Sequence, residues 1–168
     1  MARPGQTIVS PPIGQSLTFL ETRESTGGAR LSVEATLAAG SRIPDHVHLH
    51  QEERFAGLEG EVTFWVRGRR TVLEPGMELV IPPRTRHRVR NQSGEPARVR
   101  ATLSPALRSE ELFEALFALG AAGKVNRLGA PSPRRTARLL REHRDDFFYL
   151  ARVPPALQRA ILLPLALP

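Results

Sequence analysis

The stretch GSRIPDHVHLHQEERFAGLEG, residues 40–60, holds three of the five histidines of this 168-residue chain on alternate positions, followed by two glutamates. In an extended strand alternate side chains point to the same face, so His46 and His48 project together. Two imidazoles on one inward face need hydrogen-bond partners or a metal ion. The stretch therefore predicts a strand with candidate metal ligands, and Glu53 and the distant His87 are candidates to complete the set.

Short strand-like segments fill the chain up to Ser104-Pro105, where the composition changes. They are separated by turns such as Thr26-Gly27-Gly28 and Ser93-Gly94. Many short strands at this spacing are typical of an all-β sandwich or barrel. The sequence therefore predicts a mainly β fold over residues 1–104. The segments are SLTFLET, ARLSVEATLA, ERFAGLEG, EVTFWV, RTVLEP, MELVIP, HRVRNQ and ARVRATL.

Residues 105–168 have a helical pattern, and we expect an α-helical extension packed on the barrel or on a partner subunit. Ser109 is expected to cap a first helix, whose first turn carries Glu110 and Glu111 at the positive end of the helix dipole. A second helix is expected to begin at Ser132-Pro133. After Pro154-Pro155 a short third helix is expected, followed by the apolar tail AILLPLALP. The apolar stripe of the second helix comprises Ala137, Leu140, Phe147 and Leu150, with His143 as a core residue on the same stripe.

The chain contains no cysteine, so any metal must be held by histidine and carboxylate side chains. Its N-terminal stretch MARPGQTIVSPPIGQSL has no apolar run long enough for the core of a signal peptide, which favours a cytoplasmic location. No segment approaches the roughly 20 apolar residues of a membrane span. We therefore do not expect a membrane as a partner.

The net charge is +7, which raises nucleic acid as a partner. The densest basic patch, residues 84–100, holds six arginines against the single acid Glu95. Aromatic residues make up only 5% of the chain and none lies within that patch, so the sequence shows no stacking platform for a single strand. Arginine-mediated nucleic-acid binding is therefore kept only as an alternative, and the arginines are interpreted as a solvated strand face.

The spacing around the histidines resembles that of the cupins, which are small double-stranded β-helix barrels of the jelly-roll type. The first cupin motif reads Gly, five residues, His-x-His, three or four residues, Glu, six residues, Gly. This chain fills every fixed position, with Gly40, His46, His48, Glu53 and Gly60. The resemblance implies a jelly-roll barrel over about residues 30–103.

The second cupin motif reads Gly, five residues, Pro-x-Gly, two residues, His, three residues, Asn. Gly76, Pro82, His87 and Asn91 match it, but Arg84 stands in place of the second glycine. That glycine serves a turn, and a residue with a side chain is unfavourable at positive φ. We therefore expect the substitution to affect the backbone of the turn rather than the ligand set.

The resemblance implies that His46, His48, Glu53 and His87 ligate one divalent transition metal. Imidazoles and a carboxylate suit Fe, Mn, Ni, Co, Cu or Zn, and an octahedral ion with four protein ligands keeps two positions open. We expect a metal-binding cupin that takes a small organic molecule, with dioxygenase, isomerase or lyase-type chemistry. A non-catalytic binding or sensing module is the alternative, because one cupin scaffold carries many activities. The family also leads us to expect a homodimer.

The pocket walls are expected from residues that alternate inward on the central strands. An apolar pocket favours a small hydrophobic or aromatic chelating ligand, whereas an inward arginine favours a carboxylate. His50 is expected at the rim, where the strand ends. The expected wall residues are Phe55, Phe64 or Trp65, Leu79 or Ile81, Val89, and Val99 or Ala101.

Overall fold

The computed structural model describes residues 2–126, 130–143, 147–148 and 157. In this part of the chain, ten strands come first, two α-helices follow them, and a two-residue strand comes last. The strands are β1 (Thr7–Ser10), β2 (Gln15–Glu21), β3 (Leu31–Leu37), β4 (Arg42–His48), β5 (Glu52–Glu59), β6 (Val62–Val66), β7 (Arg69–Leu73), β8 (Glu78–Ile81), β9 (His87–Arg90), β10 (Ala97–Ser104) and β11 (Phe147–Phe148), and the helices are α1 (Ser109–Ala121) and α2 (Pro133–Glu142). A short 3₁₀ turn, Pro11–Ile13, joins β1 to β2.

The strands form two antiparallel sheets. The first has the order β1-β2-β3-β10-β5-β8 and the second has the order β11-β4-β9-β6-β7. Non-consecutive neighbours such as β3 with β10 and β4 with β9 give the strand crossings of a jelly roll. The predicted mainly β jelly-roll fold with helices at its C-terminal end is therefore confirmed.

The core lies between the two sheets because apolar residues alternate along the strands. In β10, for example, Ala97, Val99, Ala101 and Leu103 are buried while the residues between them are exposed or half-buried. The two sheets meet where the rings of Phe55 and Phe64 lie 4.6 Å apart between centroids. Alternation of this kind is what the strand segments of the sequence predicted.

Helix α1 packs against β1 and the 3₁₀ turn, and Phe117 joins the core between the sheets. The close approach of α1 to β1 requires glycine at position 120, since a Cβ atom there would lie 2.0 Å from Ser10 Oγ. Helix α2 contacts α1 through Leu140, which packs on Leu112. The first part of the extension is therefore attached to the jelly roll, whereas the predicted boundary between two units after residue 104 stays a prediction.

Two expectations for the helices were wrong. Ser109 does not cap α1: Arg108 is the N-cap residue, and the hydroxyl of Ser109 is buried and accepts a hydrogen bond from Gln51. The apolar stripe of α2 does not extend to Phe147, because α2 ends at Glu142 and Phe147–Phe148 pairs with β4 as a strand. Backbone pairing along the edge of β4 outweighs the local helical periodicity there. Leu150, the third helix and the apolar tail lie outside the described residues.

Arg84 occupies the turn of the second motif in the left-handed backbone conformation, with φ of +61°. Its N–H donates to the carbonyl oxygen of His48 at 2.7 Å, so the turn holds the end of β4. The conformation that glycine would adopt is thus kept, and His87 three residues later is correctly placed. Arg84 therefore has the positive φ that was expected to be unfavourable for a residue with a side chain, and the four candidate ligands still lie together.

Replacing Arg84 with glycine is expected to raise the free energy of unfolding by roughly 0.5–1 kcal/mol, because glycine removes the left-handed strain of a residue with a Cβ. The Arg84 side chain is exposed. Urea unfolding of the two proteins measures the difference. Arg90→Gly is the control, since Arg90 is exposed in a regular strand and glycine should lower stability there. Equal losses in both variants would contradict the explanation.

Within the described part of the chain, no helix combines the length and the apolar character needed to cross a membrane.

Candidate metal centre

The structure brings the four predicted ligands together. His46 and His48 lie on β4 and His87 lies on β9 in the second sheet, while Glu53 lies on β5 in the first sheet. One ligand atom from each residue lies within 4.8 Å of the corresponding atoms of the other three. All four side chains are buried. The cluster therefore joins the two sheets across the interior of the jelly roll.

A β-bulge in β4 aims His46 into this cluster. Ile43 pairs with Val89 and His46 pairs with His87, so β4 uses one more residue than β9 between the two pairs. In a regular strand, residues three apart point to opposite faces. The extra residue lets both Ile43 and His46 face inward, which is a recurrent use of bulges beside functional sites.

The Nδ1 atom of each histidine ring makes a hydrogen bond with a residue outside the cluster. His46 Nδ1 donates to the carbonyl oxygen of Pro44 at 2.9 Å, and His87 Nδ1 donates to that of Thr85 at 3.0 Å. His48 Nδ1 lies 3.1 Å from Gln51 Oε1. In a neutral ring with its proton on Nδ1, the lone pair is on Nε2. Such partners fix both the tautomer and the orientation of a metal-binding histidine.

Gln51 is the residue that sequence reasoning missed. Its side chain is completely buried between β4 and β5. Besides accepting from His48, it donates from Nε2 to Pro105 O at 2.8 Å, to Ala106 O at 3.1 Å and to Ser109 Oγ at 2.8 Å. Gln51 therefore links a candidate metal ligand to the first turn of α1. A lone glutamine between two strands carries no periodic signal, so only its position inside the first motif could have pointed to it.

Burial and neighbouring charges shift the pKa values of three members of the cluster. Burial raises the pKa of Glu53, but the neighbouring His48 and the hydrogen bond from His87 outweigh burial and bring that pKa to about 2. Burial lowers the pKa of His46 well below its usual value, with His87 and His48 acting in the same direction. Burial also lowers the pKa of His87, yet the hydrogen bond and charge of Glu53 raise it overall. A charged carboxylate therefore faces His46, whose basicity is lowered, and His87, whose basicity is raised.

Contacts within the cluster show how compact the donor set is. His87 Nε2 lies 3.0 Å from Glu53 Oε2, and His48 Nε2 lies 3.5 Å from the same oxygen. Three imidazole nitrogens and one carboxylate oxygen suit first-row transition metals and zinc. Calcium and magnesium prefer sets made of oxygen ligands. The residues present therefore fit the predicted ion, one of Fe, Mn, Ni, Co, Cu or Zn.

A cavity of about 370 Å³ lies beside the cluster, and His46, His48 and Glu53 form part of its wall. Both sheets contribute apolar wall residues, and α1 adds one side. Of the predicted wall residues, Phe55, Val89, Val99 and Ala101 line the cavity, whereas Phe64 and Ile81 are buried in the core without lining it. His50 is exposed just after β4 ends. The residues of α1 that line the cavity are Ser109, Leu112, Phe113, Leu116 and Phe117.

The arginine patch is divided between the two sheets, with Arg88 and Arg90 on β9 of the second sheet and Arg98 and Arg100 on β10 of the first. Trp65 of β6 pairs with Arg88 of β9, and the guanidinium carbon of Arg88 lies 4.4 Å from the centroid of the Trp65 ring. An aromatic side chain therefore does border the patch, although it comes from a neighbouring strand that the linear sequence separates from it. Its ring is already covered by Arg88, which leaves less of it for stacking on a base.

Three comparisons with known proteins agree with this geometry. Residues 33–104 match the family model described as "Cupin domain", a segment that contains all four clustered residues. Quercetin 2,3-dioxygenase from Bacillus subtilis (strain 168) is 37% identical over 75 residues, which cover 45% of this chain. The aligned segment spans only 22% of the length of that relative.

Solved structures share the fold at low sequence identity. KdgF from Halomonas sp. has a TM-score of 0.52 and 18% identity, covering 58% of this chain and 84% of its own. A predicted oxalate decarboxylase from Thermotoga maritima has a TM-score of 0.52 and 20% identity, covering 58% of this chain and 97% of its own. The family match, the fold and the residues of both motifs together support a cupin domain over residues 33–104.

Proposed function

We propose that this protein is a metal-binding cupin that holds one divalent transition metal through His46, His48, Glu53 and His87 and binds a small organic molecule there. The observation that carries the proposal is the convergence of four buried donor atoms within 4.8 Å beside a cavity. Buried histidines around a carboxylate are costly unless they are paired or bind a metal. The Nδ1 contacts that turn each Nε2 inward support the same conclusion.

The chain's own residues define what the site does to a ligand. When bound, the metal would supply a Lewis acid or a centre for oxygen activation. Glu53 and the three histidines would hold it on one side, and the cavity on the other side receives the organic molecule. The walls exclude bulk water from the molecule's body, which strengthens polar interactions at the donor atoms. The dioxygenase among the relatives supports dioxygenase chemistry as the first reaction to test.

Metal analysis of the purified protein tests the proposal. After equilibration with zinc and gel filtration, the wild-type protein should retain about one ion per chain, whereas His46→Ala/His87→Ala should retain little. His50→Ala is the matched control, because His50 is exposed and lies outside the cluster. Equal metal content in the wild type and the double variant would reject the proposed site.

An oxygen-uptake assay separates the two kinds of cupin function. The protein loaded in turn with Fe(II), Mn(II), Ni(II), Co(II), Cu(II) and Zn(II) is offered chelating aromatic substrates, and consumption of oxygen is recorded. Uptake that depends on both metal and substrate, and is lost in His87→Ala, supports a dioxygenase. Saturable binding with no turnover for any metal supports the alternative, a binding or sensing module.

A further inference from the structure

We propose that the organic ligand of this site is a singly charged chelator with a mainly apolar body, such as an enolate or a phenolate next to a carbonyl oxygen, rather than a dicarboxylate. This inference rests on the proposed metal site. It goes beyond that site because it names the chemical class of the molecule that the cavity selects. The inference follows from the charge at the metal, the position of the nearest arginine, and the walls of the cavity.

The charge at the metal limits the charge of the ligand. Metal-bound imidazoles are neutral and the carboxylate of Glu53 carries one negative charge, so a divalent ion in this set leaves a net charge of +1. A chelator with one negative charge neutralises the buried site. A second negative charge would need its own cationic partner in the cavity, because burying an unpaired charge is costly.

The described cavity wall offers no such partner. Besides Glu53 and the histidines, Arg42 is the one charged residue among the described residues of the wall. Arg42 pairs with Arg90, which directly follows the inward Val89 on β9 and is exposed. Paired residues of adjacent strands project to the same face of a sheet. By this register the exposed side chain of Arg42 leaves the strand on the outer face together with Arg90, while its backbone carbonyl oxygen accepts from the cavity residue Gln15 at 3.1 Å.

Three other polar side chains of the wall make hydrogen bonds within the protein. Gln15 Nε2 donates to Ser41 Oγ at 2.9 Å, and the hydroxyl of Ser109 accepts from Gln51 at 2.8 Å. The Thr136 hydroxyl donates to Pro131 O at 3.3 Å. These side chains are uncharged, so none of them can pair with a second negative charge on the ligand.

The rest of the wall is apolar and suits a ring or a hydrocarbon body. A volume of about 370 Å³ falls in the range of about 300–1,000 Å³ that small-molecule sites occupy. Helix α1 forms one of the parts of the wall that lie outside the segment matched by the cupin family. The selectivity for an apolar body is therefore a property of this chain and not of the metal set alone. The apolar wall residues include Leu17, Val33, Leu37, Ile43, Phe55, Val89, Val99, Leu112, Phe113, Leu116 and Phe117.

Calorimetric titration of the zinc-loaded protein with tropolone and with oxalate tests the inference. Both probes close a five-membered chelate ring through two oxygens, but tropolone carries one negative charge on an apolar ring and oxalate carries two charges and no apolar body. After correction for their affinities for zinc in solution, tropolone should bind at least about tenfold tighter. Acetohydroxamate, a singly charged chelator with a small body, should fall between them. Oxalate binding as tightly as tropolone would overturn the inference.

Variants test whether the preference for tropolone over oxalate arises from the cavity wall. Leu116→Trp places a larger side chain in the cavity and should weaken tropolone binding at least about tenfold without changing zinc content. Ala118→Trp, on the exposed face of the same helix, is the matched control and should bind tropolone as the wild type does. Arg42→Gln should leave the ratio of tropolone to oxalate affinity unchanged, whereas a marked rise in that ratio would show that Arg42 does serve anionic ligands and would contradict the charge argument.

The outcomes separate this inference from the proposed function. If the wild-type protein retains no zinc, the proposed metal site is wrong. If the protein retains zinc but does not bind tropolone more tightly than oxalate, the metal site stands and the inference about the ligand is wrong. The comparison of probes on the wild type does not depend on any variant folding correctly.

Discussion

Replacing Gly57 with alanine is expected to lower the free energy of unfolding by more than about 3 kcal/mol, enough to prevent stable folding of a marginally stable domain. A Cβ atom at position 57 would lie 2.1 Å from Glu74 O and 2.7 Å from Glu74 C. These are backbone atoms, so no rotation of a side chain relieves the overlap. The loop cannot retreat freely either, because Gly57 N donates to Met77 O at 2.9 Å and Gly76 N donates to Gly57 O at 3.0 Å.

Circular dichroism during thermal and urea unfolding measures this effect. The control is Ala56→Gly, which changes the adjacent position of the same strand in the opposite direction and should cost only about 0.5–1 kcal/mol. If the free energy of unfolding of Gly57→Ala lies within about 1 kcal/mol of the wild-type value, β5 and the Glu74–Gly76 turn can separate at little cost and the prediction is wrong.

Replacing Gln51 with leucine is expected to weaken zinc binding by about 10- to 100-fold, the usual cost of losing the residue that orients a metal-binding histidine. It should also lower the free energy of unfolding by about 3–5 kcal/mol. Leucine has a similar size but leaves His48 Nδ1 and two carbonyl oxygens without the partner that Gln51 provides. Each buried polar group that loses its partner costs about 1–3 kcal/mol.

A second substitution separates the two roles of Gln51. Glutamate at this position still accepts from His48 Nδ1 but cannot donate to the Pro105 and Ala106 carbonyl oxygens. Gln51→Glu should therefore keep near-normal zinc affinity while losing stability. Competition with a fluorescent zinc chelator measures affinity, and urea unfolding measures stability. Gln92→Leu, at an exposed glutamine, is the control. Wild-type zinc affinity in Gln51→Leu would exclude a positioning role.

The ligand cluster was accessible from sequence because its signals are local and regular. Alternation along a strand puts His46 and His48 on one face, and the two motif spacings supply Glu53 and His87. The expectation about Arg84 held for the same reason, since a tight turn fixes φ over one residue. The four residues therefore follow from patterns that span a few positions each.

The parts that could not be predicted depend on contacts between distant segments. The bulge between Ile43 and His46 is defined only by the partner strand β9. Ser109 has the residue type of a helix cap, yet it accepts from Gln51, which lies 58 positions away. Phe147 fits a helical stripe, but pairing with His48 places it in a strand. In each case a tertiary hydrogen bond outweighs a local preference.

The link from His48 through Gln51 to Ser109 means that residues 33–104, the segment matched by the cupin family, depend on contacts with residues outside that segment. Residues 33–104 omit β1 and β2, which cover one edge of the first sheet, and omit the carbonyl oxygens to which Gln51 donates. A gene fragment trimmed to residues 33–104 would lose the hydrogen-bond partners that hold Gln51 beside His48, and strands β1 and β2 as well. Exchange of that region between relatives by recombination should therefore succeed only when the flanking residues travel with it.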